Sequence, residues 1–147
     1  MATSDVERML DDWATAWSSA ENSDPARVLA LFADDCVFED VTFGVVARGK
    51  DELRSFVQGA FAAIPDFQYR LTSRFVDGQW AAIEWVMSGT HTGDFPGMPA
   101  TGKRFSSVRG SSILELEAGK IRRRSDYWDA ATFMKRVGLL PSQGERA

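Results

Sequence analysis

The chain has 147 residues, 44% of them hydrophobic and 26% charged, the size and make-up of one globular domain with its own core. A net charge of −4 argues against a nucleic-acid binder, which must neutralise phosphates, and the one basic run, Arg122-Arg123-Arg124, is too short to reverse that balance. Cys36 is the single cysteine, so no intrachain disulfide can form, and no apolar run approaches the ~20 residues that span a bilayer.

Residues 4–20 carry apolar side chains at steps of three and four (Val6, Met9, Leu10, Trp13, Ala16, Trp17), which predicts an amphipathic helix. Ser4 and Glu7 have capping-box spacing at its start. Asp24-Pro25 opens a second helix, with Val28, Leu29 and Phe32 on its buried face. Residues 36–40 read as a strand, returned by Val45-Val46-Ala47 after a turn at Gly44. A third helix covers roughly 51–63 and ends before Pro65. Strands follow over 67–76, 79–91, 104–117 and 120–128. Asp77-Gly78 is the first hairpin turn, a Gly/Pro loop fills 93–102, and Ala118-Gly119 is the last turn. Asp129 caps a final helix that Gly138 closes, with Pro141 beyond. Helices and a short hairpin followed by long strands predict an α+β fold, a curved antiparallel sheet wrapped by three to four helices. The chain reads as a single domain over 1–147, with its core at about 5–141.

Strand alternation then sorts side chains by face. Ile83, Trp85, Met87 and His91 share one face of their strand. Arg122, Arg124, Asp126 and Trp128 share one face of the last strand. Cys36, Phe38 and Asp40 share a face of the first. Asp40, His91 and Asp126 are thereby expected to converge among aromatics, with Arg124 as a fourth polar group. A carboxylate in an apolar pocket has a raised pKa and can move protons near neutrality, so these residues are the candidate catalytic set. Plainer roles stand beside that one. Asp40 can bind turn backbone, His91 can be structural or exposed, and Asp126 with Arg124 can be a simple ion pair. Trp85, Met87, Phe38, Trp128, Arg124 and Trp17 are the candidate substrate-binding residues. One His and one Cys cannot make a typical zinc site, and neither a phosphate-cradling glycine loop nor a Gly-x-Ser-x-Gly elbow occurs. The expectation is an enzyme without metal or cofactor. The acidic N-terminal residues lack the bases of a signal peptide, so a cytoplasmic protein is expected.

Several stretches carry a family resemblance. Residues 31–40, Leu-Phe-Ala-Asp-Asp-Cys-Val-Phe-Glu-Asp, resemble the segment after the second helix of ketosteroid isomerases. Gly89-Thr90-His91-Thr92-Gly93 with Pro99-Ala100-Thr101-Gly102-Lys103 resembles the SnoaL-like polyketide cyclases. Gly119-Lys120-Ile121 with Asp126-Tyr127-Trp128-Asp129 is similar to that family and to limonene epoxide hydrolases. All belong to the nuclear transport factor two-like superfamily, and the resemblance implies a cone-shaped, cystatin-like α+β barrel, usually dimeric, with an apolar pocket. It puts Asp40 where the isomerases keep their base, but Ala16 and Ser111 or Ser112 where they keep acidic hydrogen-bond donors. It puts Asp126 on the aspartate of the epoxide hydrolases, but Trp85 and Met87 on their arginine and second aspartate. The cyclase pattern, one aspartate removing an acidic proton beside carbonyls, suffers least from these departures.

The expected function is therefore acid–base chemistry of the cyclase or isomerase type on an apolar carbonyl compound, with Asp126 as acid/base. Alternatives are a non-catalytic binding module for a hydrophobic small molecule, a limonene-type epoxide hydrolase, and a protein-association domain. The expected partners are a hydrophobic ligand and a second copy of the chain on the outer sheet face, with no nucleic acid and no membrane.

Overall fold

The computed structural model describes residues 3–18 and 24–141. Helix α1 (Thr3–Trp17) buries Val6, Leu10, Trp13 and Trp17, which its spacing places in one stripe. It begins ahead of Ser4, so Ser4 lies in the first turn and is not the cap, and it ends three residues short of the predicted residue 20; residues 19 and 20 lie outside the described residues. The predicted second helix is a single turn, α2 (Ala26–Leu29). Pro25, expected at N1, is itself the N-cap residue, and Asp24 just before it accepts from the Ala26 amide at 2.9 Å. Phe32 belongs instead to β1 (Phe32–Asp40), where it is buried at the strand's start. The chain continues through β2 (Val45–Arg48) and α3 (Gly49–Ala63), then β3 (Gln68–Asp77), β4 (Trp80–Thr90), β5 (Arg104–Glu117), β6 (Lys120–Trp128) and α4 (Ala130–Arg136). The Asp129 carboxylate caps α4, accepting from the Thr132 amide at 3.0 Å. No helix among the described residues is long and apolar enough to cross a membrane.

The six strands form one open sheet in the order β2-β1-β6-β5-β4-β3. One pairing departs from the antiparallel expectation: β1 runs parallel to β6. No hairpin links these two, and the long connection through β2, α3 and the central strands leaves their relative direction free. Helix α1 packs on β3, α3 on β1 and β2, and α4 on β5. The helices thus cover one face and seal the core between themselves and the sheet.

A second departure decides which side chains of β6 point inward. Glu115 faces Arg123 but Leu116 faces Ile121, so Arg122 is the extra residue of a β-bulge, which reverses the alternation. Arg122, expected inward beside Arg124, is exposed and lies 2.9 Å from Glu117 and 3.7 Å from Glu115, while Ile121 takes the buried place. Downstream of the bulge, Arg124 and Asp126 face the core as predicted.

Candidate active site

The site is a row across three neighbouring strands. Asp40 on β1 is in register with Asp126 on β6, and Asp126 with Ser112 on β5. Neighbouring strands lie about 4.8 Å apart, so the three side chains stand side by side. All three are buried. Phe38 and Arg124, two residues back on β1 and β6, form the next row.

Asp126 is held by a closed network. Its Oδ1 accepts from Ser112 Oγ at 2.6 Å and from Arg124 Nε at 2.8 Å. Arg124 Nη2 donates to Ser112 Oγ at 2.8 Å, and Trp85 Nε1 donates to the same oxygen at 2.9 Å. The Arg124 guanidinium is completely buried and lies 3.6 Å from the centre of the Trp13 ring, a cation–π contact. Burial works against the arginine's charge and the adjacent Asp126 opposes that effect. A buried charge needs an opposite partner, and Asp126 is the carboxylate that supplies it. Oδ2 of Asp126 takes no hydrogen bond among the described residues, and the residue lines a cavity. Gly110 makes room for this network: a Cβ there would stand 2.3 Å from the Trp85 ring.

Asp40 has no cationic partner among the described residues. Its Oδ1 accepts from the Phe43 amide at 2.9 Å, and Trp128 Nε1 donates to both oxygens at 3.1 and 3.2 Å. Burial pushes its pKa up to about 6, with the Asp126 charge adding to the rise and the hydrogen bonds from Phe43 and Trp128 opposing it. The turn-binding role considered for Asp40 and a proton-carrying one are thus present in a single side chain.

Both carboxylates line one small cavity of about 40 Å³, walled by Trp17, Tyr69, Trp85, Met87, Trp128 and Phe133 among others. At roughly 10–15 Å³ per water, it holds a few waters at most. A second cavity of about 280 Å³ lies outside it, between α3 and the 94–96 loop. Phe43, Phe56, Ala60 and Phe95 line both and form the collar between them. Phe43 and Phe95 have ring centres 5.5 Å apart.

Of the predicted residues, Asp40, Asp126, Trp85, Met87, Trp128 and Trp17 meet at this cavity. Three do not line it. Arg124 sits behind Asp126. Phe38 is core, packed on Phe32 and Phe56. His91 lies beyond the end of β4, stacked on Phe95 and edge-on to Phe133, with Thr101 Oγ1 3.3 Å from Nδ1. His91 keeps the alternation, buried in phase with Trp85, Met87 and Gly89, but it stands past the strand's end and does not line the cavity. Its Nε2 is buried without a hydrogen-bond partner. Burial lowers its pKa, with Asp94 and the Met98 carbonyl working the other way. Tyr69, Phe43, Phe95 and Ser112 are the site residues that sequence reasoning missed. The signal for Tyr69 was its place in the Phe67-Tyr69-Leu71 alternation of β3.

A family model described as SnoaL-like polyketide cyclase matches residues 7–137. The chain belongs to this family. A curated relative, the aklanonic acid methyl ester cyclase DnrD of Streptomyces peucetius, is 34% identical over 62 residues, which span 42% of each chain. The matched stretch therefore covers less than half of that enzyme. TsrD from Streptomyces laurentii superposes with a TM-score of 0.82 at 22% identity, covering 95% of this chain and 99% of that one. A protein of ketosteroid isomerase-like fold from Catenulispora acidiphila DSM 44928 does so at 0.77 and 22%, covering 94% and 97%. This SnoaL-like chain therefore shares their fold.

Proposed function

We propose that this SnoaL-like protein is a cofactor-independent cyclase that closes a ring in an apolar carbonyl compound by an intramolecular aldol step. The carrying observation is that two carboxylates in opposite settings face one apolar cavity. Such pairs divide acid from base. Asp126, counter-ion to Arg124, takes a proton from the carbon beside a carbonyl through Oδ2, and the C–H electron pair becomes the enolate. The C–H that it takes lies between two carbonyls, which spread the resulting charge. The enolate carbon attacks a second carbonyl of the same molecule, and the new alkoxide takes a proton from Asp40. Only the reacting carbonyls enter the inner cavity while the rest of the substrate occupies the larger one beyond the Phe43–Phe95 collar, and this joint hold supplies proximity. The 62-residue likeness to an aklanonic acid methyl ester cyclase supports this chemistry. His91, away from the cavity, has no part in it.

The test is proton exchange in heavy water with a panel of apolar β-keto esters. Deuterium should enter the carbon between the carbonyls with the native protein and stop with Asp126→Asn. Exchange that survives undiminished in Asp126→Asn would sink the assignment. Binding of the panel without exchange would move the protein to the ligand-binding class.

The same pair supports a second reading as an epoxide hydrolase, with Asp126 activating water and Asp40 protonating the epoxide oxygen. Turnover of a hydrophobic epoxide to the diol, without β-keto ester exchange, would favour it. On either reading we propose a homodimer through the outer sheet face, where Phe75 (63% exposed), Trp80 (50%), Ile113 and Tyr127 lie uncovered. Light scattering at micromolar concentration should give twice the chain mass, and Ile113→Glu should halve it; a monomeric native protein would refute the dimer.

A further inference from the structure

An aldol of this kind creates negative charge on the substrate's carbonyl oxygen, and a hydrogen-bond donor beside that oxygen lowers the barrier. Besides the Asp40 carboxyl, whose proton goes to the alkoxide, four side chains lining the inner cavity carry an N–H or O–H: Trp17, Tyr69, Trp85 and Trp128. Three of them are unavailable. Trp85 Nε1 donates to Ser112 and Trp128 Nε1 to Asp40. Trp17 Nε1 has no hydrogen-bond partner among the described residues, but the atom is itself buried, without surface open to the cavity. The Tyr69 hydroxyl remains, and it makes no hydrogen bond among the described residues.

The phenol is also firmly placed. Its ring packs on Trp13 (4.9 Å between centres), Trp17 (5.9 Å), Phe67 (4.7 Å) and Trp85 (4.8 Å). Its backbone amide donates to Ser18 Oγ at 3.2 Å, which ties β3 to the end of α1. Burial raises its pKa well above the ordinary tyrosine value, with the nearby Asp126 adding to the rise, and Arg124 works against it. It therefore stays protonated and can only donate to an anion.

From this geometry we infer that Tyr69 is a catalytic residue of the cavity, donating its hydroxyl hydrogen bond to the enolate oxygen of a 1,3-dicarbonyl substrate while Asp126 holds the abstracted proton. This rests on the cyclase reading above. The proton stays on Tyr69 Oη throughout. The electron pair released from C–H by Asp126 moves through the new C=C to the carbonyl oxygen, and returns to carbon when the ring bond forms. The donor sits on a strand, opposite the helical position, Ala16, where the resemblance to ketosteroid isomerases leads one to look.

Tyr69→Phe keeps the ring and its four neighbours, so it removes the hydroxyl alone. Melting temperature and far-ultraviolet circular dichroism check that the fold is intact. Enolisation of the β-keto ester panel should fall about 10²–10³-fold, the usual cost of losing one such donor, mainly in kcat. Exchange at the native rate overturns the inference, and if Asp126→Asn still abolishes exchange the cyclase reading survives that failure. A second arm needs no turnover. In an Asp126→Asn background, which stands for the protonated base, substituted phenols of graded acidity mimic the enolate. Their affinity should rise with phenol acidity, and adding Tyr69→Phe should flatten that slope and weaken the tightest phenol about 10-fold or more. A slope unchanged by Tyr69→Phe, or no phenol binding at all, overturns the inference. A flattened slope in a protein whose native form exchanges nothing supports the donor and removes the cyclase reading.

Discussion

Asp126 and Asp40 occupy equivalent positions on adjacent strands, in register and equally buried, yet their surroundings differ in kind. The β5–β6 side of the cavity supplies Asp126 with a buried guanidinium and a serine hydroxyl. Asp40 has the Phe43 turn amide and the indole N–H of Trp128 at the end of β6, neither of them charged. Asp126 has an arginine beside it and Asp40 has none among the described residues, and burial raises the Asp40 carboxyl to about 6. Identical side chains thus stand in different settings, one of them beside an arginine two positions away on the strand.

Removing that residue should have the largest effect. Arg124→Met strands the Asp126 carboxylate without a counter-charge, and breaking a buried pair from one side costs about 3–5 kcal/mol. Urea unfolding should show this loss, and the double change Arg124→Met with Asp126→Leu should recover much of it. An Arg124→Met protein as stable as the native one would mean that the pair does not set the difference.

Asp40→Asn should have a smaller effect that depends on pH. The carboxyl keeps its proton up to about 6 in the folded state and releases it near 3.8 when unfolded. Between those values the folded protein binds more protons, so its stability falls as pH rises. A shift of this size corresponds to about 3 kcal/mol. The native protein should lose stability from pH 4 to pH 6 relative to Asp40→Asn, and parallel curves would contradict the raised value. On the proposed mechanism kcat should also fall as pH rises through about 6, because Asp40 then lacks the proton it donates.

Much of this was legible in the sequence. Alternation placed Phe38 and Asp40 on one buried face, and Arg124 with Asp126 on another, because strand period two is a local property. The turn residues bounded β3 to β6 closely. What failed was non-local. The bulge that expels Arg122 is visible only against β5, and His91, inward as its alternation predicts, packs on Phe95 and on Phe133 of α4 instead of lining the cavity. The parallel pairing of β1 with β6 aligns Asp40 with Asp126, and no spacing in the chain encodes it. The resemblance pointed to Ser111 or Ser112 only as the place of a missing acid, and so missed that Ser112 donates to Asp126. Tyr69 sat in an ordinary strand pattern, its importance set by partners from α1, β4 and β6.

The most direct measurement is a carboxyl-carbon NMR titration of the protein labelled at aspartate, with Asp40→Asn to assign the signal. Asp40 should titrate with an inflection near 6 that disappears in the variant. An Asp40 signal that titrates near 3.8 would remove the protonated acid on which the proposed chemistry stands.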